Sequence, residues 1–141
     1  MNEYRFAELR EGQKESFTRE ITPEMEDMFR AVSGDENPLH RDDAFAREIG
    51  EGKFPGHVTF GMLTASLYST MAGMYLPGRY SLIHSLEIKF QNPVFSGDLL
   101  TVEGTVKKKH DGLNLIELAV RITNQNQKCV SKADMKVMVL R

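Results

Sequence analysis

Tryptophan is absent from the 141 residues, and cysteine occurs once, at Cys129. A lone cysteine closes no internal disulfide, so the chain suits a reducing compartment and a cytoplasmic location is expected. A strong charge of either sign is also missing. Lys and Arg number 18 against 20 Asp and Glu, a formal net charge of −2. That balance gives no electrostatic footprint for nucleic acid or for an anionic membrane. The first residues, Met1-Asn2-Glu3-Tyr4-Arg5, are charged where a signal peptide needs an apolar run, so no targeting segment is expected. No repeat or low-complexity tract occurs. The histidines lack a metal-ligand spacing such as His-x-x-x-His, and neither a metal nor another cofactor is expected.

Long apolar runs are scarce too. The one candidate is Val58 to Gly78, which contains no Asp, Glu, Lys or Arg. Its length alone would allow a membrane span. However, Thr59, Thr64, Ser66, Ser69 and Thr70 dilute it, and Gly61 and Gly73 lie inside it. A helix without a charged face fits the buried helix of a globular protein, and that is the reading adopted.

What is present is an ordinary globular composition, 40% hydrophobic, at a length suited to one domain over 1–141. Gln13 to Glu20 is a short strand candidate. Thr22-Pro23-Glu24 opens a helix, with threonine as cap and proline in the first turn. Met25, Met28, Phe29 and Val32 recur at helical spacing and predict an apolar face through about Ser33. Arg41 to Ile49 reads as a second short helix, and Gly50, Gly52, Pro55 and Gly56 as a connection. From Tyr80 the period becomes two. Tyr80, Leu82, His84, Leu86, Ile88 and Phe90 share one face. Leu100, Val102 and Val106 form a second set, Ile116, Leu118, Val120 and Ile122 a third, and Ala133, Met135, Val137 and Val139 a fourth. Asp111-Gly112 marks a hairpin turn, and Asn124-Gln125-Asn126 links the last two strands. Helices followed by strands indicate an α+β fold with an antiparallel sheet.

The chemistry concentrates in Ser33-Gly34-Asp35-Glu36-Asn37-Pro38-Leu39-His40. Asn37-Pro38 breaks any helix, because the residue before proline is pushed out of the α region. Asp35 and His40 therefore sit on a bent loop, which is able to aim both at one point as an acid–base pair around a water. Each also has a plain alternative: Asp35 as a turn-former and His40 as an ordinary loop residue. His57 lies in the Gly-rich approach, with substrate contact as its alternative role. His84 is expected buried on an apolar strand face, and His110 solvated in a turn. Cys129 is read as a strand residue, and Met71, Met74 and Tyr75 as core or pocket lining. Lys107-Lys108-Lys109 is read as a solvated face, with attraction of a ligand phosphate as the alternative.

Gly34-Asp35-x-Asn37-Pro38-Leu39-His40-x-Asp42, followed by Gly61-Met62-Leu63-Thr64-Ala65-Ser66, resembles the MaoC-like (R)-specific enoyl-CoA hydratase family. The similarity continues through Leu76-Pro77-Gly78 and Phe90-x-x-Pro93-Val94-x-x-Gly97-Asp98. The resemblance implies a hot-dog fold, an antiparallel sheet wrapped around a long central helix. It implies (R)-specific hydration of trans-2-enoyl thioesters, or the reverse dehydration, on a CoA or acyl-carrier-protein thioester of fatty-acid metabolism. It places the catalytic pair on Asp35 and His40 and the oxyanion-binding amide on Gly61. Asn37, Phe60, Ser66 and Ser69 are the expected substrate contacts, with Thr64 beside the acyl path. It also implies a homodimer or larger even assembly. One departure stands out: the family usually has His-Gly where this chain has Phe60-Gly61. The alternatives are a thioesterase on the same fold and a non-catalytic acyl-thioester-binding subunit.

Overall fold

The computed structural model describes residues 1–141. Strand β1 (Lys14–Glu20) leads through Ile21 into helix α1 (Pro23–Ser33). Thr22 caps α1 by accepting from the Met25 N–H, and Pro23 fills the first turn, as its sequence predicts. The helix stops at Gly34, whose φ of 70° is the left-handed conformation that glycine adopts without penalty. A single turn, Pro38–His40, precedes α2 (Asp43–Ile49), which Asp42 caps through the Phe45 N–H.

Helix α3 (Gly61–Thr70) runs on through a wider π-type turn, Met71–Tyr75. Strands β2 (Ser81–Phe90), β3 (Leu99–His110), β4 (Leu115–Thr123) and β5 (Cys129–Val139) follow. With β1 they form one antiparallel sheet in the order β1-β3-β4-β5-β2. The alternation expected for β3, β4 and β5 holds: Leu100, Val102, Val106, Ile116, Leu118, Val120, Ile122, Met135, Val137 and Val139 are all buried. They pack on Leu63, Ala65, Leu67, Tyr68, Met71 and Ala72 of the central helix, in one core. Burying such side chains is worth roughly 1.5–3 kcal/mol each, which is why the helix is held inside the sheet.

Two details fix how close helix and sheet come. A Cβ on Gly104 of β3 would lie 2.7 Å from the Met71 sulfur, so only glycine lets that side chain lie on the strand. The Tyr68 hydroxyl donates to Ser131 Oγ at 2.6 Å, and Ser131 donates on to the Lys89 carbonyl at 2.9 Å. Burial pushes the Tyr68 phenol up to about 12, so it stays a neutral donor. The Gly97-Asp98 motif works as a tie: Gly97 N–H donates to the Ile21 carbonyl, and Ile21 N–H to the Asp98 carbonyl. Asp98 in turn accepts from the Phe95 N–H and from Gln125.

Several expectations are corrected. Strand β2 does not bury its apolar face: Leu82 and Phe90 are 53% exposed and Leu86 38%. It is an edge strand that nothing within the chain covers, and only Ile88 packs against the core. His84 falls at a register shift between Ile83 and Ser85 and is exposed, not buried. His110 is not simply solvated, because its Nε2 lies 2.7 Å from Glu117 Oε1 across the hairpin. Lys109 is not free either, donating to the Leu9 carbonyl and lying over the Phe6 ring. On α1 the apolar face is narrower than its spacing predicts. Met25 and Phe29 pack on the core, Met28 and Val32 are exposed, and Glu26 is buried.

Candidate active site

The loop after α1 is built by side chains bonding to nearby backbone. Ser33 Oγ accepts from the Asp35 N–H, Asp35 Oδ1 from the Asn37 N–H, and Asn37 Oδ1 from the Leu39 N–H. Each is a short-range bond of the kind Ser, Asp and Asn make in turns. Asp35 thus has the turn role its sequence allows, but that uses one oxygen only. Its Oδ2 faces His40 Nε2 at 3.9 Å.

The orientation of His40 is fixed from behind. Its Nδ1 lies 2.7 Å from the Val58 carbonyl. A carbonyl only accepts, so Nδ1 carries the hydrogen and a neutral ring presents the Nε2 lone pair toward Asp35. The ring packs on Phe60 at 4.4 Å between centroids, and Phe60 packs on Phe29 at 5.0 Å. At 3% exposure Phe60 is a buttress for the imidazole, not a wall of the adjoining cavity.

That cavity, of about 310 Å³, has His40, Val58, Gly61 and Thr64 on its lining, together with Phe90, Asn92 and Val94. Gly61 opens α3 with no acceptor for its N–H within the chain. The first N–H groups of a helix are unpaired and carry its partial positive charge, so this one suits an oxyanion. A Cβ on Gly61 would touch the Phe90 ring at 3.4 Å. Thr64, one turn on, is buried, and its hydroxyl has no partner.

The structure therefore brings three of the expected residues together: Asp35, His40 and Gly61. Asn37 caps the Pro38 turn through Oδ1, and it does not line the cavity. Ser66 and Ser69 are exposed and lie off the cavity lining, and Ser66 Oγ donates to its own helix at Leu63. Residues the sequence reading passed over are Asn92 after β2 and Val130 on β5, which line the cavity, and Glu26 beside His57. Glu26 accepts from Thr59 Oγ1 at 2.9 Å and lies 2.8 Å from His57 Nε2. The helical spacing Thr22, Met25, Glu26, Phe29 was a usable signal, because it sets a carboxylate on an inward face.

The family model for the MaoC like domain matches residues 6–128. An (R)-specific enoyl-CoA hydratase of Aeromonas caviae is 36% identical over 117 residues, covering 83% of this chain and 85% of that protein. A second, from Rhodospirillum rubrum, is 32% identical over 101 residues, covering 72% of this chain and 68% of that one. Among solved structures, the unliganded R-hydratase PhaJ1 of Pseudomonas aeruginosa superposes with a TM-score of 0.87 at 35% identity, covering 96% of this chain and 84% of that one. The A. caviae (R)-hydratase gives 0.86 at 33% identity, covering 93% and 97%. With its sheet wrapped around the α3 helix in the hot-dog manner, the chain belongs to the MaoC-like domain family.

Proposed function

We propose that the chain is a hydro-lyase that adds water to trans-2-enoyl thioesters to give (R)-3-hydroxyacyl thioesters, and catalyses the reverse dehydration. The similar hydratases support the reaction class. The observation that carries the site assignment is the pairing of Asp35 Oδ2 with His40 Nε2 at 3.9 Å, beside the unpaired Gly61 N–H. With the His40 ring neutral both facing atoms are acceptors, and they are too far apart to bond each other. One water donating a hydrogen to each satisfies both and turns its lone pairs toward the substrate. As the water oxygen bonds C3, the C2=C3 electron pair moves toward the thioester carbonyl. One water proton passes to the Asp35–His40 pair, and the pair returns a proton to C2. Net, H and OH add across the double bond. The Gly61 N–H receives the oxyanion that develops on the thioester oxygen, a contribution of about 2.7–4 kcal/mol for one such donor.

The carrier is CoA, as in the names of the similar hydratases. The active form is a homodimer in which the exposed β2 face and the Met62–Ser66–Ser69 stripe of α3 are covered by a second copy. Ser66 and Ser69 then contact the acyl chain at that interface.

The test is hydration of crotonyl-CoA, followed as loss of enone absorbance, with the product's configuration assigned. Asp35→Asn is expected to lower turnover by about 10²–10⁴-fold, the range for a lost general base. KM should change little, since the carboxylate acts in the transition state. His40→Gln should give a similar loss, and the double variant far less than the product of the two, because both act on one water. Wild-type turnover in folded Asp35→Asn would sink the mechanism, and release of free thiol would mean a thioesterase.

A further inference from the structure

His57 is held by two carboxylates, one from each flanking helix. Its Nδ1 lies 2.7 Å from Asp43 Oδ1 of α2, and its Nε2 lies 2.8 Å from Glu26 Oε2 of α1. An ionised carboxylate only accepts, so with both carboxylates ionised both ring nitrogens donate and the ring is an imidazolium. Glu26 is 6% exposed, and a buried carboxylate is retained only where it is paired and hydrogen-bonded. The Asp43 oxygen also accepts the His57 backbone N–H at 2.8 Å, and Glu26 accepts the Thr59 hydroxyl at 2.9 Å. A Cβ on Gly56 would meet the same Asp43 oxygen at 2.9 Å, so glycine there leaves the carboxylate its place.

The segment so held is the one that builds the catalytic geometry. Residues 57–60 are in neither helix nor strand. Outside this cluster the backbone of 57–59 is tied by Val58 N–H to the Leu39 carbonyl, Thr59 N–H to the Val94 carbonyl, and the Val58 carbonyl to His40. That last carbonyl sets the tautomer and tilt of His40, and three residues after Val58 the chain enters α3 at Gly61. We propose that Glu26, His57 and Asp43 form an ionic clamp that positions the Val58 carbonyl and the Gly61 N–H, and so acts on the reaction through His40 without touching substrate. The proposal rests on the assignment of His40 and Gly61 made above. Supports of this kind are what hold a reacting group within a fraction of an ångström of its working place.

The clamp is tied to pH. Burial alone would lower the His57 pKa, but the hydrogen bonds it donates to Asp43 and Glu26 outweigh it and hold the pKa above its ordinary value. The other charged or titratable groups around the clamp are Asp27 and Arg30 on α1, His40 and Arg41 on the preceding turn, and Arg47 on α2, which acts on Asp43 while donating to the Pro55 carbonyl. Arg30 bonds Asp27 at 2.7 Å and Arg41 bonds Glu36 at 2.6 Å, so neither competes for the two carboxylates. When His57 loses its proton, one ring nitrogen faces a carboxylate with no hydrogen between them, and one arm of the clamp opens.

Two readouts test this, in wild type and in His57→Gln, which keeps one amide donor group but no charge. The first is the ring-nitrogen NMR of His40. Wild type should show the Nδ1–H tautomer below the His57 transition, and His57→Gln a mixture of both tautomers at every pH above the His40 transition. The second is the pH profile of crotonyl-CoA hydration. Wild-type kcat should fall as pH rises through the His57 transition. His57→Gln should lose that alkaline limb and show a kcat lower by about ten- to a hundredfold, the scale of a small misplacement of a reacting group, with KM nearly unchanged. Should His57→Gln fail to fold, Asp43→Asn, which removes one exposed arm, is read the same way and should give a smaller shift. An unchanged His40 tautomer in a folded variant overturns the clamp, as does an unchanged alkaline limb. A wild type that shows the tautomer response but does not hydrate enoyl-CoA leaves the clamp standing and removes the function proposed above.

Discussion

At the scale of single residues, the site is made by pairing groups whose needs the fold leaves unmet. Asp35 Oδ2 and His40 Nε2 face each other as two acceptors, and the Gly61 N–H has no acceptor. The Thr64 hydroxyl is a different case, because it is buried as well as unpaired. An unsatisfied buried polar group costs roughly 1–3 kcal/mol, and valine has nearly the same shape without the hydroxyl. Thr64→Val is therefore expected to stabilise the protein by about 1 kcal/mol or more in urea unfolding. A loss of stability would show that the hydroxyl has a partner. Tyr68 is the contrasting residue, its hydroxyl fully engaged with Ser131. Tyr68→Phe should cost about 0.5–1.5 kcal/mol, the net value of a typical hydrogen bond, with little effect on turnover.

At the scale of elements, the ion pairs of His57 join α1, α2 and the entry to α3 beside the packing of Phe29 on Phe60. His57 has a raised pKa, so its stabilising contribution is complete below the unfolded value of about 6.5 and is lost as pH rises through the folded value. Asp43 has a lowered pKa, because His57 donates to it through backbone and ring. Its contribution is complete above the unfolded value of about 3.9 and is lost as pH falls through the folded value. The clamp thus stabilises most between those two limits. Thermal unfolding from about pH 6 to about pH 9 should show the wild-type Tm falling more steeply than that of His57→Gln. Parallel curves would mean that His57 is not charged in the folded state.

At the scale of the whole molecule, one edge of the sheet is unfinished. Strand β2 exposes Leu82, Ile83, Leu86 and Phe90, and α3 exposes Met62. A long apolar edge strand left open to water is a pairing surface. The proposed dimer covers it, and Phe90 connects this surface to the cavity it lines beside Gly61. Leu86→Glu places a charge in that interface. Light scattering should then show a monomer, and crotonyl-CoA turnover should fall with it. A wild type that is monomeric and fully active at working concentration would contradict the assembly. No helix of the chain is long and apolar enough to cross a membrane. From the uncharged stretch, Phe60, Leu63, Ala65, Leu67, Tyr68, Met71, Ala72 and Leu76 are in the core.

The sequence by itself determined the elements and the loop. Alternation in β3, β4 and β5, the Thr22-Pro23 cap, the Gly34 stop and the Asn37-Pro38 break are local rules, each acting over a few residues, and all appear in the structure. The placing of Asp35 and His40 on one bend followed from the same rules. Tertiary structure decided what depended on sheet order and on distant partners. The apolar face of β2 reads like those of its neighbours, but β2 falls at the edge and stays exposed. No local rule joins Glu26 of α1 to His57 of the Gly-rich connection. They meet across 31 positions of sequence only because α1 packs beside the entry to α3. Periodicity reports which side of an element is apolar; what stands opposite is settled by the packing of elements, and there the ion pairs and the buttress of His40 were decided.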